Sequence, residues 1–462
     1  MKVLAIAALT IRDAVRSRVL AAIIVLLLVV IAGVPFAVTG DGTLFGEMRV
    51  LLHYTLGLVG LLLGVAALWT ACGAVARDIE DQHLLLTAVK PVSRTCIWIG
   101  RWLGLVALSA ILLALCGGLA FGMVHAKLAG GGVSAAQRRE VEERILVGRQ
   151  RIAARPPPLR DAVAERLARL REQGVVPADV PDREAAAEIR RRLLAAAAVT
   201  GPGAARRWVF DTPTRGPRGG GAVLRIRPRA PTRDMTPAAG TWTLRSGGRE
   251  HRIRTDALIE GEHLLELPAA FMDGGALTVD FRNDSPATSR TVLFPVGDSA
   301  EVLIDRTGFA ANLIRALFVV LCRLAALTAL GLTAGCLFSL PVAAFAGTGL
   351  VCGLLLSRAF VAAAGAGTHI DPGHHGARGG SGGAAVRMME AGEAIARPFA
   401  AVAASTVRGR VLPRLADGIL LPGREVRAAA IVLGLLYPAG FAAVGSFVLR
   451  RRELALPGGD WT

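Results

Sequence analysis

The sequence predicts an α-helical polytopic membrane protein of about six transmembrane helices, with an extracytoplasmic α+β domain inserted between them. Three observations lead to this prediction. The 462-residue chain is 53% hydrophobic and has a mean hydropathy of +0.50, which is too apolar for an ordinary soluble domain. The apolar residues are concentrated in runs of the length that a spanning helix needs, about 20 residues. Residues 126–308, in contrast, are too polar to enter lipid.

The apolar runs give the candidate spans in order. The first run, 19–38, contains no charged residue. Its basic leader is long and no small-residue cleavage site ends it, so we expect an uncleaved helix and not a signal peptide. Gly57, Gly60 and Gly64 in the second run have the small-residue spacing that allows helices to approach closely. The remaining runs are 103–124, then 312–364, which is long enough for two helices with a turn near Ser339–Pro341, and finally 428–449.

Lysine and arginine in short loops set the orientation, because such loops are retained in the cytoplasm. Basic residues precede the first span, fill the loop 76–101 and follow the last span. Both termini and this loop are therefore predicted to be cytoplasmic, in a multi-pass protein of the cell (inner) membrane. The resulting segments are 1–125 with spans 1–3, the extracytoplasmic domain 126–308, 309–364 with spans 4–5, the extracytoplasmic loop 365–427, and 428–462 with span 6 and a cytoplasmic tail.

The predicted extracytoplasmic domain has two halves. Residues 134–199 show helical alternation of apolar and charged residues in 134–154, 159–173 and 182–199, interrupted by prolines, and predict a helical hairpin. Residues 206–305 contain short segments bounded by Gly, Pro, Asn and Asp, several with period-two alternation, and predict a small antiparallel β-sandwich. These segments are 222–227, 241–246, 263–268, 276–281 and 291–296. A structural or partner-docking role is favoured for this domain, and binding of a substrate is left open.

The loop 365–427 begins rich in Gly and His and is predicted to end in an amphipathic helix at about 384–418. Its sequence HIDPGHH, residues 369–375, contains residue types that ligate metals. Neighbouring histidines in a glycine-rich stretch lack a rigid frame, so we expect a flexible loop and no metal site.

Charge and cysteine usage exclude several classes of protein. The net charge is +17, but the arginines that carry it are scattered and not gathered on one face, so no nucleic-acid partner is expected. The six cysteines lie in or beside apolar runs without a CxxC pair, which indicates neither a zinc site nor a disulfide framework.

Catalytic and nucleotide-binding motifs are missing from the sequence. A phosphate-binding loop of the GxxxxGK[ST] type requires a Gly-Lys pair, and Lys2, Lys90 and Lys127 all follow other residues. The sequence contains neither GxSxG nor HExxH. We therefore expect no enzyme activity and no cofactor on this chain, and any energy source must be another subunit.

The cytoplasmic loop 76–101 carries the most information about function. It reads ARDIEDQHLLLTAVKPVSRTCIWIGR: a charged start, an apolar middle, a break at Pro91 and a basic-apolar return to the membrane. This pattern predicts a short amphipathic helix at the membrane surface, which can dock in a partner and transmit rigid-body motion. An ordinary interfacial helix would show the same pattern.

Three stretches resemble the transmembrane subunits of ABC type 2 transporters: the basic lead-in 9–20, the loop with membrane re-entry 76–104, and the later span pair 309–343. The similarity covers roughly the membrane half of the chain. One branch of this family has a similar six-span layout. The large insert between spans 3 and 4 departs from that branch, so no substrate can be transferred from it.

The resemblance implies a permease that forms a homodimer or heterodimer in the bilayer and binds two ATP-binding cassette ATPase subunits at the cytoplasmic face. The loop would couple ATP hydrolysis to export or to extracytoplasmic work, and its candidate coupling residues are Glu80, Asp81, Pro91, Val92, Ser93 and Arg94. The alternative is a membrane-anchored scaffold or sensor whose extracytoplasmic β-domain binds a protein partner, without transport.

Arg323 is a separate candidate because it lies eleven residues into the fourth span. A charge at the centre of a spanning helix costs about 2.5–3.5 kcal/mol on insertion scales. Arg323 either faces a translocation path or a dimer seam, or residues 309–322 form an interfacial helix and the span starts at Leu324.

Overall fold

The computed structural model describes residues 2–16, 18–37, 43–80, 93–130, 132–177, 180–213, 221–229, 237–258, 260–272, 275–286, 291–297, 299–367 and 411–451. The chain divides into two compact units. A helical unit is formed by Met1–Leu146 together with Gly308–Thr462, and a β-unit is formed by Val147–Thr307.

The helical unit contains the long apolar helices. Its first elements are α1 (Lys2–Arg16), α2 (Arg18–Ala37), α3 (Leu44–Glu80), α4 (Arg94–Ala129) and the short, charged α5 (Ala135–Arg144). After the β-unit come α8 (Phe309–Leu337), α9 (Leu340–Gly367), the one-turn α10 (Val411–Ala416) and α11 (Gly423–Arg451), which contains a π-helical turn at Val432–Leu436.

Within the described residues, four helices are long and apolar enough to cross a membrane: α3, α4, α8 and α11. The pair α1 and α2, bent by 68°, adds a fifth if it is counted as one span, and α9 contributes the shorter apolar segment Leu340–Gly353. The length and apolar composition of these helices indicate a membrane protein. The predicted turn near Ser339–Pro341 is confirmed, since α8 ends at Leu337 and α9 starts at Leu340.

Contacts between the helices fix their relative directions. Gly331 and Gly335 of α8 lie against Leu68 and Cys72 of α3, so these two helices run parallel. Helix α4 runs opposite to α8, because its Gly117 lies against Leu317 while its earlier Trp102 donates to the later Ala325 carbonyl, at 2.9 Å.

The other two helices follow the same alternation. Gly434 of α11 lies against Cys322, and Thr333 donates to the carbonyl of Phe441 at 3.0 Å, so α11 runs parallel to α8. Helix α9 is antiparallel to α3: Leu340 lies against Gly73 and Gly347 lies against Leu68. Helices α3, α8 and α11 therefore point one way, and α4 and α9 point the other way.

This alternation gives the helical unit two distinct ends. At one end, which we name the insert end, the chain leaves after Leu146 and returns at Gly308, and the amide of Phe309 donates to the carbonyl of Leu146 at 3.2 Å. At the other end, which we name the loop end, α3 stops at Glu80, α4 starts at Arg94 and α11 stops at Arg451.

The β-unit contains two helices and ten strands among its described residues. The elements are β1 (Val147–Ala153), α6 (Arg160–Glu172), α7 (Asp182–Ala198), β2 (Val199–Thr200), β3 (Ala205–Thr212), β4 (Ala222–Ile226), β5 (Ala238–Ser246), β6 (Arg249–Leu258), β7 (His263–Leu267), β8 (Gly275–Asn283), β9 (Val292–Leu293) and β10 (Ala300–Gly308).

Two four-stranded sheets form the body of the β-unit. Their strand orders are β1-β10-β4-β7 and β3-β8-β5-β6, and β2 pairs with β9. Both larger sheets contribute to one core, which includes Leu224 and Val302 from the first sheet and Phe210, Trp242 and Phe281 from the second. The rings of Trp242 and Phe281 are 4.5 Å apart. The arrangement is a β-sandwich of the kind that the period-two segments predict.

The sequence identified some of these strands and missed others. Segments 222–227, 241–246, 263–268 and 276–281 are strands as predicted, whereas 291–296 keeps only the two-residue β9. The prediction of helix throughout 134–154 was wrong, because Val147–Ala153 is a strand. This segment contains Gly148 and the β-branched Val147 and Ile152, and it gains ladder partners by lying beside β10.

The boundary of the β-unit also differs from the predicted 126–308. Helix α4 continues to Ala129, and Val141 and Ile145 in and after α5 are buried in a cluster with Met48 of α3, so residues up to Leu146 belong to the helical unit. The histidine-containing stretch 369–375 and most of the predicted helix 384–418 lie outside the described residues, which resume with α10.

Candidate functional site

The structure describes part of the predicted coupling loop. Glu80 is the last residue of α3, and Ser93 and Arg94 open α4. Asp81, Pro91 and Val92 lie outside the described residues. Residues 76–80 continue α3, and 94–101 are the start of α4, which agrees with the predicted return to the membrane after Pro91. The loop is thereby limited to 81–92, between Glu80 and the N-cap of α4.

Ser93 defines where α4 begins. Its backbone is extended, and its Oγ accepts a hydrogen bond from the amide of Cys96 at 3.2 Å, as an N-cap residue does. Arg94 follows as a half-buried residue whose Nη1 atom has no hydrogen-bond partner among the described residues. The chain therefore enters α4 from the loop through an N-cap hydrogen bond.

The first turns of α4 hold α1 at very short range. A β-carbon added at Gly100 would lie 2.7 Å from Cβ of Ile6, and one added at Gly104 would lie 2.7 Å from the carbonyl oxygen of Ala7. These two glycines form a GxxxG pair, the spacing that lets helix backbones meet. Helix α1 therefore packs directly against the first turns of α4, which follow the loop.

The same segment of α4 also contacts α11 and α8. A β-carbon at Gly445 of α11 would lie 2.6 Å from Nε1 of Trp98. Arg450 near the end of α11 donates to Oγ1 of Thr95 at 3.4 Å. With the bond from Trp102 to Ala325 of α8, residues 93–104 touch three other helices within three turns.

Arg323 lies at the midpoint of α8, which is unbroken from Phe309 to Leu337. A helix of 29 residues is about 43 Å long and exceeds the hydrocarbon thickness of about 30 Å. Phe309 and Val319 are buried in a cluster with Val141 of the charged α5. The first three turns of α8 therefore share a buried cluster with the charged α5 at the insert end.

At the insert end, a buried asparagine links α8 to the backbone of the segment before α11. The amide nitrogen of Asn312 donates to the carbonyl of Ile419 at 2.9 Å, and its oxygen accepts from the amide of Leu421 at 3.0 Å. Asn312 has no exposed surface. Asp417, in the same segment, pairs with Arg49 of α3 at 2.6 Å. The segment 411–421, which we name the strap, is thereby fixed to both α3 and α8.

In the β-unit, the most buried charges surround Glu301. Its carboxylate is 1% exposed and lies 3.1 Å from Arg225, which is 3% exposed, and 3.2 Å from Arg227. Arg151 also pairs with it. The outer face of the other sheet carries an exposed network, in which hydrogen bonds from Arg245 and Arg252 lower the pKa of Glu250.

Neither of these clusters has the composition of a metal centre. Among the described residues, no group of three or more His, Cys, Asp or Glu side chains is placed to hold an ion. Glu301 contacts three guanidinium groups, and a second carboxylate, Glu262, lies 3.0 Å from Arg227, which fits an internal ion pair network of the sandwich.

No protein-family model, curated protein or solved structure matches the chain. Sequence reasoning did not use the Gly100–Gly104 pair or Asn312, although a GxxxG motif and a lone amide in an apolar run are visible in the sequence.

Proposed function

We propose that this protein is the transmembrane permease subunit of an ABC type 2 transporter, driven by a separate ATP-binding cassette ATPase. The observation that carries the proposal is the position of residues 93–104. They directly follow the loop and contact α1, α8 and α11 together. A displacement of the loop would be passed to three helices at once, as a coupling element requires.

The proposed topology has six crossings of the cell membrane and cytoplasmic termini. The alternation of helix directions supports it, because α3, α8 and α11 run opposite to α4 and α9. Counting α1 and α2 as one crossing and α9 as another gives six. The loop end is then cytoplasmic, and the β-unit follows from the insert end on the extracytoplasmic side.

In this proposal the permease works as a homodimer or heterodimer. ATP binding closes the ATPase pair, and the loop rocks the helices between inward- and outward-facing states. Glu80, Asp81, Pro91, Val92, Ser93 and Arg94 form the proposed contact with the ATPase. Ser93 and Arg94 fit this role by position, because they open α4 directly after the loop.

The test is an affinity purification from detergent-solubilised membranes, followed by mass spectrometry of the proteins that co-purify. We expect an ATP-binding cassette ATPase near one-to-one, and we expect it to be lost with Pro91→Ala and Arg94→Ala. Arg427→Ala is the matched control, since Arg427 is exposed near the insert end of α11.

Recovery of extracytoplasmic proteins without an ATPase would contradict the proposal. It would favour the alternative, a membrane-anchored scaffold or sensor that binds a partner through the β-unit. The separate core of the β-unit is the feature that such a protein would use.

A further inference from the structure

Helix α1 presents an apolar stripe in which three residues are exposed and one, Ile11, is half-buried. Leu4, Ala8, Ile11 and Val15 follow the i, i+4, i+7, i+11 spacing of one helix face. Leu4 is 65% exposed and Val15 is 61% exposed. The face that packs on α4 is a different one, formed by Ile6, Ala7 and Thr10.

A basic face adjoins this stripe. Arg12 and Arg16 lie one turn apart on α1, and both are exposed, as is Arg18 at the start of α2. Lys2 and Asp13 lie on the same side of the helix. Leu9, which is 55% exposed, lies between these charges, so the face is cationic overall but not entirely polar, and it adjoins the apolar stripe.

A helix with adjacent apolar and basic faces is built to lie in the plane of a membrane surface. The apolar side enters the boundary of the acyl chains, and the cations meet the headgroup phosphates. Helix α1 is placed for this, because it is bent by 68° from the apolar α2 and packs on the candidate span α4.

We propose that α1 is a lipid-binding element, which selects anionic headgroups through Arg12, Arg16 and Arg18 while Leu4, Ala8, Ile11 and Val15 enter the acyl region. Because α1 rests directly on Gly100 and Gly104, bound lipid would hold the segment that follows the loop. The proposal depends on the membrane location of the chain and is independent of any ATPase.

The test uses the full-length protein, delipidated in detergent and titrated with phosphatidylglycerol or with phosphatidylcholine, and counts bound lipids by native mass spectrometry. We expect phosphatidylglycerol to bind more tightly. Each basic residue near an anionic surface contributes about fivefold in affinity, so Arg12→Gln with Arg16→Gln should weaken phosphatidylglycerol binding about 25-fold. The charge-preserving pair Arg12→Lys with Arg16→Lys should retain it.

The matched control is Arg166→Gln with Arg169→Gln, which removes the same charge from exposed positions of α6 in the β-unit. Equal affinity for the two lipids would overturn the proposal, and so would an equal loss in this control. Leu4→Asn with Val15→Asn tests the stripe. If these variants lose a co-purifying ATPase but keep the lipid preference, the stripe docks a protein and the proposal is wrong. Since lipid binding is measured on the chain alone, failure of the permease proposal leaves this result unaffected.

Discussion

Trp98 of α4 and Gly445 of α11 meet so closely that a β-carbon at position 445 would lie 2.6 Å from Nε1 of the indole. The Trp98 side chain is 1% exposed, and Oγ1 of Thr333 in α8 would lie 3.3 Å from the same β-carbon. The helices α4 and α11 are therefore in direct contact at the loop end of the helical unit.

Gly445→Ala tests this contact. The added methyl group meets a rigid ring, and overpacking of this kind costs about 1–3 kcal/mol, so we expect a lower melting temperature of the purified protein in detergent. Gly440→Ala is the control in the same helix, because a β-carbon there meets no described heavy atom within 4 Å. A melting temperature of Gly445→Ala equal to that of the control would show that α4 and α11 are not packed in this way.

Gly331 and Gly335 bring α8 onto the backbone of α3. β-Carbons at these positions would each lie 2.5 Å from a carbonyl oxygen, of Leu68 and of Cys72 respectively. A backbone carbonyl cannot relieve a clash by changing rotamer as a side chain can. Gly331→Ala should therefore separate the helices and lower the melting temperature more than Gly445→Ala does. Gly57→Ala should have little effect, since no described heavy atom lies within 4 Å of its β-carbon.

The glycines also show how far the sequence could predict the packing. Apolar run lengths located the long helices. The small-residue spacing singled out Gly57, Gly60 and Gly64, but β-carbons at Gly60 and Gly64 would make only ordinary contacts, at 3.8 and 3.4 Å, and one at Gly57 would meet no described atom within 4 Å. Among the described helices, backbone approaches backbone most closely at Gly331 and Gly335 instead. Spacing identifies a face of a helix that is able to pack, whereas the partner and the depth of contact depend on the whole bundle.

The strands of the β-unit were predicted only in part. Period-two segments predicted four of its strands, but β1 was hidden in a stretch that also has charged, helix-like spacing. Its strand conformation depends on β10, which lies about 150 residues away in the sequence, and such a pairing is not encoded locally. The side-chain contacts at the loop end likewise join segments from opposite ends of the chain.

Asn312→Ala should release the strap at the insert end. The substitution removes two buried hydrogen bonds and leaves the carbonyl of Ile419 and the amide of Leu421 without that partner. Each unsatisfied buried group costs about 1–3 kcal/mol. We expect faster amide hydrogen exchange across 411–421, measured by mass spectrometry.

Arg49→Gln is the control for the strap, because it removes the ion pair to Asp417 while Arg49 is 52% exposed. An exposed pair contributes about 0–1 kcal/mol, so exchange in the strap should change little. If the two variants exchange equally fast, Asn312 is not what fixes the strap.

Glu301→Ala should destabilise the β-unit. It leaves Arg225, which is 3% exposed, without its nearest carboxylate, and breaking a buried pair costs about 3–5 kcal/mol. The near-ultraviolet circular dichroism of the full-length protein, to which the buried Trp208 and Trp242 contribute, should be lost at lower temperature. Glu250→Ala, which removes an exposed carboxylate of the other sheet, should leave this transition unchanged.

Arg323→Leu decides between the two roles of the arginine at the centre of α8. If Arg323 faces a translocation path or a dimer seam, the variant should insert and fold normally, since removing a charge from a span costs nothing on insertion, yet lose transport-coupled ATP hydrolysis in the purified complex. Arg323→Lys should then restore part of the activity, because it keeps the charge but not the planar guanidinium. If instead the cluster that Phe309 and Val319 share with the charged α5 lies near the membrane surface, Arg323 reaches headgroups or water, and Arg323→Leu leaves hydrolysis unchanged. Unchanged hydrolysis in a complex that still assembles would therefore remove Arg323 from the functional site and move the start of the fourth span toward Leu324.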